Sequence, residues 1–422
     1  MKKTYSSARF PVIVWLLALL SALLPPLDAQ AVFDTVIENG PRANRVNAFF
    51  LGDGYTSANL AAGLYANHID DYVEYMFADS IDSDPFFRYR NFFNIYRVNV
   101  VSAESGADQP HNGIFRNTAL DASYLFDGVT ERLLSVDTGK ANDALNAAVA
   151  GSGVTVDMRF VAVNDSVYGG AGGTYAVFAA RDSSAREIAM HEMAHSFSGL
   201  ADEYGGPGTY AGGEPMQPNI TINPTGAKWS QWLGYDDPTG GVVGAYEGAR
   251  QFDAGIYRPT PNSKMRNLGV PFNAVSREEI ILDIYRNVDP LDSFSPTRVQ
   301  YIDPTLLAVE RIDDSVINTQ WFVDNIPQPA LDNASSINPL SLGLGLGRHT
   351  IKLRAYDPTG FDLTNGWVRI NTTLLEQTVT WGIDITVPEP ASLLLASAAF
   401  GFSVLVGSRQ KTRWRKLPKY DS

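Results

Sequence analysis

Apolar residues fall along this chain in two textures. Up to Ser295-Pro296-Thr297, apolar runs of strand length alternate with stretches of helical period; beyond it the runs are short and alternate with polar residues. Asn47 to Tyr55, centred on Ala48-Phe49-Phe50-Leu51, predicts a buried strand entering a Gly52-Asp53-Gly54 turn. Thr56 or Ser57 then caps a helix reaching roughly Phe77. Phe92 to Val101 predicts a second strand, and a helix around Ala141 to Val149 precedes a third over Val156 to Val163. Such alternation argues for layers of helix on mixed sheet, an α+β domain. Ser184-Ala185-Arg186-Glu187 has the form of a capping box opening another helix, and Gly199 is placed to end it. A helix from about Ser276 to Arg286, with Ile280, Ile281, Ile284 and Tyr285 on its apolar face, closes the first domain near residue 295.

From Val299 to Ile385, segments such as Trp321-Phe322-Val323, Thr350 to Tyr356 and Thr378 to Trp381 are separated by turn residues, including Asp357-Pro358-Thr359-Gly360 and Asn365-Gly366. This predicts a small antiparallel β-sandwich of immunoglobulin-like kind over 296–386.

Both ends read as addresses. A basic start, an apolar run from Val12 to Leu24 and small residues at Ala29 and Ala31 form the layout of a secretory signal peptide over 1–31; the alternative is a retained N-terminal anchor. Over 387–422, Val387-Pro388-Glu389-Pro390 precedes an apolar run from Leu393 to Val406 and then Arg409, Lys411, Arg413, Arg415 and Lys416. Physically this is a short span with a positive cytoplasmic stop, implying transient inner-membrane contact. It resembles the PEP-CTERM sorting signal of Gram-negative envelope proteins, which implies processing by an exosortase and delivery to the cell envelope, cell surface or extracellular matrix.

Charge and cysteine narrow the chemistry. The net charge is −13, but the two terminal segments carry +2 and +4, so residues 32–387 carry −19. Such a body repels nucleic acid, and no nucleic-acid partner is expected. Cysteine is absent, so an exported chain must rely on core packing or bound metal, and any zinc must be held by His, Asp or Glu.

Of five histidines, two lie in His191-Glu192-Met193-Ala194-His195. Four residues apart on a helix, both imidazoles face one way and can reach one ion. Glu192 stands beside them where a general base for an attacking water is wanted. The helix-ending glycine of metzincins lies three residues after the second histidine, with the third ligand three beyond it. Here Gly199 comes four after His195, and Asp202 again three beyond Gly199. Asp202 is the expected third ligand; Glu203 is the neighbouring rival, and a more distant glutamate is the third option. The nearest of those, Glu214, lies in a Gly/Pro loop. Met265, in Asn262-Ser263-Lys264-Met265-Arg266, looks like a Met-turn beneath the metal.

The glycine-rich stretch Tyr168 to Phe178 lacks the lysine of a phosphate loop. It reads either as a flexible loop entering a sheet edge or as the edge strand on which an extended peptide adds by backbone pairing. On the second reading Gly172, Gly173 and Thr174 bind substrate, held along the strand after Gly173. Tyr257 is an oxyanion donor or an ordinary packed tyrosine. Asp53 reads as a turn-capping carboxylate, and His68, His111 and His349 have no ligand spacing.

Taken together, Phe50-Leu51-Gly52-Asp53-Gly54-Tyr55-Thr56, Tyr168-Gly169-Gly170, Gly172-Gly173-Thr174-Tyr175, His191 to Tyr204, Glu247-Gly248-Ala249 and Tyr257 to Arg266 resemble the bacterial zinc endopeptidases called IgA peptidases, metzincin-like enzymes with a C-terminal β-sandwich. Met193-Ala194 replaces the usual Phe-Gly, and Ser263 a common cysteine. The resemblance implies a zinc (Zn2+) peptidase acting on a protein or peptide: His191, His195 and Asp202 hold the metal and Glu192 is the general base. The rivals are a non-catalytic envelope or matrix binding protein that keeps the fold, and a zinc hydrolase of non-peptide amides.

Overall fold

A computed structural model describes residues 32–386 apart from Leu363; the leader and sorting-signal expectations lie outside the described residues. Six strands form the first sheet: β1 (Asp34–Glu38), β2 (Val46–Asp53), β3 (Phe93–Val98), β4 (Met158–Val163), β5 (Gly170–Ala171) and β6 (Ala176–Ala179). Their spatial order is β1-β3-β2-β4-β6-β5, with β3, β2, β4 and β6 parallel and the two edge strands antiparallel to their neighbours.

The apolar run in β2 is continuous because both faces are covered. Strand alternation sends Val46, Ala48 and Phe50 into one core and Phe49 and Leu51 into the other. The second face is closed by α3 (Thr138–Val149) through Ala141, Leu145 and Ala148. The first is closed by α2 (Leu64–Met76), α4 (Ala185–Ser198) and α5 (Ala274–Asn287). One helix expected from Thr56 to Phe77 is two. Thr56 caps the short α1 (Ser57–Ala61) with a capping box to Asn59, and Gly63, at φ +75°, turns the chain into α2.

Between α4 and α5 the chain is mostly loop, with two small hairpins: β7 (Asp236–Asp237) with β8 (Gly241–Val242), and β9 (Tyr246–Ala249) with β10 (Phe252–Arg258).

Beyond α5, β11 (Leu291–Phe294), β13 (Leu307–Arg311) and β16 (Ser336–Ile337) form one sheet. β12 (Tyr301–Ile302), β14 (Asn318–Val323), β15 (Ile326–Pro327), β17 (Gly347–Tyr356) and β18 (Glu376–Ile385) form another. Ile351, Leu353 and Ala355 alternate inward along β17, and Trp321 stacks on Trp381 with centroids 5.7 Å apart. The pairing starts at Leu291, ahead of residue 296, and β12 runs parallel to β18, so this part is not wholly antiparallel.

This C-terminal part is joined to the first domain through polar groups as well as a shared core. Asp357, fully buried, accepts hydrogen bonds from Tyr89 (2.6 Å), Tyr285 (2.9 Å) and Arg88 (2.7 Å). The Thr359 amide also donates to it at 3.0 Å, and the bonds from Arg88, Tyr89 and Tyr285 tie this buried carboxylate to the first domain. Among the described residues no helix is long and apolar enough to cross a membrane.

Candidate active site

The helix α4 packs on β4 and β6 and against α2 and α5, so most of its residues are buried whichever way they face. The expected capping box is absent. Ser184 makes no side-chain cap. Glu187 instead faces the loop under the histidines, where it binds Lys264 Nζ (2.6 Å), the Gly269 amide (2.9 Å) and the Tyr75 hydroxyl. A buried ammonium outcompetes a backbone amide for a carboxylate, and Lys264 has no exposed side-chain surface.

At its far end α4 closes in a left-handed glycine cap: Gly199 adopts φ +58°, its amide reaches the His195 carbonyl, and the Leu200 amide reaches that of Ala194. The turn does two things for the site. The Leu200 carbonyl accepts from His195 Nδ1 at 2.6 Å, and the chain reverses so that Asp202 faces both histidines. The Lys264 carbonyl, beside the buried Met265, does the same for His191 Nδ1 at 2.9 Å.

With both Nδ1 atoms donating to carbonyls, the atoms that converge are His191 Nε2, His195 Nε2 and Asp202 Oδ1. Their separations are 3.1 Å between the nitrogens and 3.1 and 3.2 Å from each to the carboxylate oxygen. Three lone-pair-bearing atoms hold such spacing only around a proton or a cation. A tetrahedral ion with bonds of about 2.0–2.1 Å has ligand–ligand edges of about 3.3 Å, so the donor set fits a metal. These three form the candidate metal site among the described residues. Carbonyls behind both imidazoles are the outer contacts that orient metal-binding histidines.

Glu203, the rival ligand, turns the other way. It is fully buried, and its carboxylate accepts from Ser263 (2.7 Å), Asn219 (3.0 Å) and Asn273 (3.1 and 3.2 Å), while its amide donates to the Met265 carbonyl. Glu214 pairs with Lys228 at 2.7 Å, away from the histidines.

Glu192 lines the cleft beside the triad. Burial pushes its carboxyl up, opposed by the two imidazoles. That is the direction a proton acceptor working near neutrality needs.

The edge of the sheet reaches this cleft, but not where the sequence placed it. The strand after Gly173 is β6, which pairs with β4 on one side and β5 on the other and has no free edge. The outermost strand is β5, and because Leu133 bridges it at Gly170 the open edge begins beyond it, at Gly172. Gly172 and Gly173 line the cleft at its end, whereas Thr174 does not. A Cβ on Gly170 would stand 2.5 Å from Ile188 Cγ2, and one on Gly172 2.4 Å from His195 Cβ. Glycine here lets a sheet edge lie directly against the metal helix.

Two cleft residues carried no sequence signal as partners. Arg132 comes from a loop with no periodicity, and its carbonyl accepts the Gly170 amide. Tyr204 ends the His191 to Tyr204 stretch; its hydroxyl lies 3.4 Å from an Arg132 nitrogen, and burial with the Asp202 charge pushes it up to about 12. Both line the cleft, and Tyr257 does not: its amide and carbonyl pair with Thr221. Asp53 caps the Leu120 and Ala122 amides, and His68, His111 and His349 bond to Tyr55, Asn112 and Asp324.

In comparison with known proteins, residues 35–240 match the family model described as IgA Peptidase M64. No curated protein matches the chain.

Proposed function

Residues 35–240 belong to the IgA peptidase M64 family, and from that premise we propose that the chain is a zinc-dependent endopeptidase. The observation that carries the proposal is the convergence of His191, His195 and Asp202 on one point, with Glu192 beside it in a cleft bounded by a sheet edge. Two imidazoles and one carboxylate without sulfur suit zinc, with a position left for substrate. A cation held there supplies Lewis acidity to the scissile carbonyl and the attacking water.

The chain's own residues do the rest. Glu192 accepts the proton of the attacking water and returns it to the leaving amine. Substrate lies extended along the open edge at Gly172 and Gly173, past the Gly170 amide that Arg132 holds, with both glycines allowing close backbone approach. Tyr204, steadied by Arg132, donates a hydrogen bond to the oxygen that gains negative charge. Exposed Phe126, Val129 and Met216 adjoin the cleft residues Asp127, Thr130 and Gln217 and give the rim apolar surface suited to a polypeptide. Residues 1–31 and 387–422 support export and exosortase-dependent sorting to the Gram-negative envelope.

The full chain, purified with zinc, is expected to hold one zinc per molecule and to hydrolyse casein. Glu192→Ala is expected to keep zinc and lose hydrolysis. Wild type that binds zinc but cleaves no peptide would refute the endopeptidase reading. Retention of a tagged protein at the surface of cells lacking exosortase would refute the sorting reading.

A further inference from the structure

On the Glu192 side of the metal triad the cleft deepens into a cavity of about 300 Å³, bounded by the start of α4, the tip of β5 and the loop after Met265. Its walls include two apolar side chains, Ile188 and Leu268, and two guanidinium groups, Arg132 and Arg266. Neither arginine pairs with a carboxylate among the described residues. Arg266 spends one nitrogen on the Glu203 carbonyl (2.9 Å), and Arg132 meets only the Tyr204 hydroxyl and ring. Lys264 also lines the cavity, but Glu187 already neutralises it. Glu192 is the one acid on the wall, committed to proton transfer.

In a body carrying −19, two arginines beside the reacting centre form no ion pair: the charges of Glu192 and Asp202 reach Arg132 through space, but no carboxylate contacts either guanidinium among the described residues. Apolar walls accept methylenes, and guanidinium donors accept a carboxylate in planar pairs. We infer that this cavity takes the acidic side chain, glutamate or aspartate, of the substrate residue flanking the scissile bond. The inference rests on the endopeptidase reading for its position in the reaction, but the cavity's preference for a carboxylate can be measured without turnover.

Two matched alanine-rich peptides, identical except for a single central Glu or Gln, separate the possibilities. Titrated calorimetrically into the zinc-loaded full-length Glu192→Gln protein, the Glu peptide is expected to bind at least about tenfold tighter, with the margin shrinking as salt rises. Arg266→Glu is expected to reverse the preference toward a Lys peptide. Because Arg266 also holds a backbone carbonyl, Arg132→Gln serves as a second variant and is expected to narrow the Glu-over-Gln margin. Equal affinity for the Glu and Gln peptides would overturn the inference even if wild type cleaves both. Glu-selective binding without cleavage by wild type would uphold the cavity's role and overturn the endopeptidase reading.

Discussion

Lys264 Nζ lies 2.6 Å from Glu187 Oε2, joining the loop beneath the histidines to the first turn of the helix that carries them. The same lysine's carbonyl holds His191, so one residue fixes both the helix and the orientation of its first imidazole. Lys264→Met strands a mostly buried carboxylate, and a loss of about 3–5 kcal/mol in unfolding free energy by urea titration is expected.

The pair also sets an acid limit. Burial alone would raise the Glu187 carboxyl, but Lys264 and its other donors hold it below its ordinary value of 4.5. Its stabilising contribution is therefore present above pH 4.5 and lost as pH falls from there through the lower folded value. Wild type is expected to lose thermal stability over that interval more steeply than Glu187→Gln, as followed by melting temperature against pH.

Asp202 and Glu203 are adjacent and opposite in role. Asp202→Ala is expected to abolish stoichiometric zinc while leaving the melting temperature of chelator-treated protein within a few degrees of wild type. Glu203→Gln is expected to keep zinc but cost about 1–3 kcal/mol, because a new amide donor would face Asn219, Ser263 and Asn273. Zinc content with parallel melting curves checks both; the reverse result would move the metal to Glu203.

Metal and proton compete for the same three atoms. Burial lowers the His195 imidazole, but the Asp202 carboxylate outweighs it and pushes His195 up to about 9. After chelation His195 therefore carries a proton at neutral pH that zinc must displace. Zinc affinity is expected to rise with pH up to about 9, and binding at pH 7 to release close to one proton. Calorimetry in buffers of different ionisation enthalpy measures that release directly.

The glycine edge gives the most local test. Gly172→Ala drives a methyl into His195, whose ring must shift from the Leu200 carbonyl and from Asp202. A roughly 10–100-fold loss of zinc affinity is expected, with overpacking costing about 1–3 kcal/mol. Competition with a fluorescent chelator reads the affinity.

What the sequence determined by itself was local. Four-residue spacing on a helix puts His191 and His195 on one face whatever surrounds them, and Gly199 ends that helix because only glycine enters the left-handed region without strain. A continuous apolar run of strand length likewise made β2 legible as a buried strand. What the tertiary structure decided was every choice between local near-equals. Asp202 and Glu203 differ by one position, and only Ser263, Asn219 and Asn273, brought in from distant segments, draw one carboxylate into the core and leave the other facing the imidazoles. Glu187 fits a capping box on paper, yet Lys264 arrives from 77 residues away and takes it. Arg132 and Tyr204 meet only because two loops close over β5. Those pairings depend on through-space charge and hydrogen bonding between segments far apart in the chain, which periodicity and spacing do not encode.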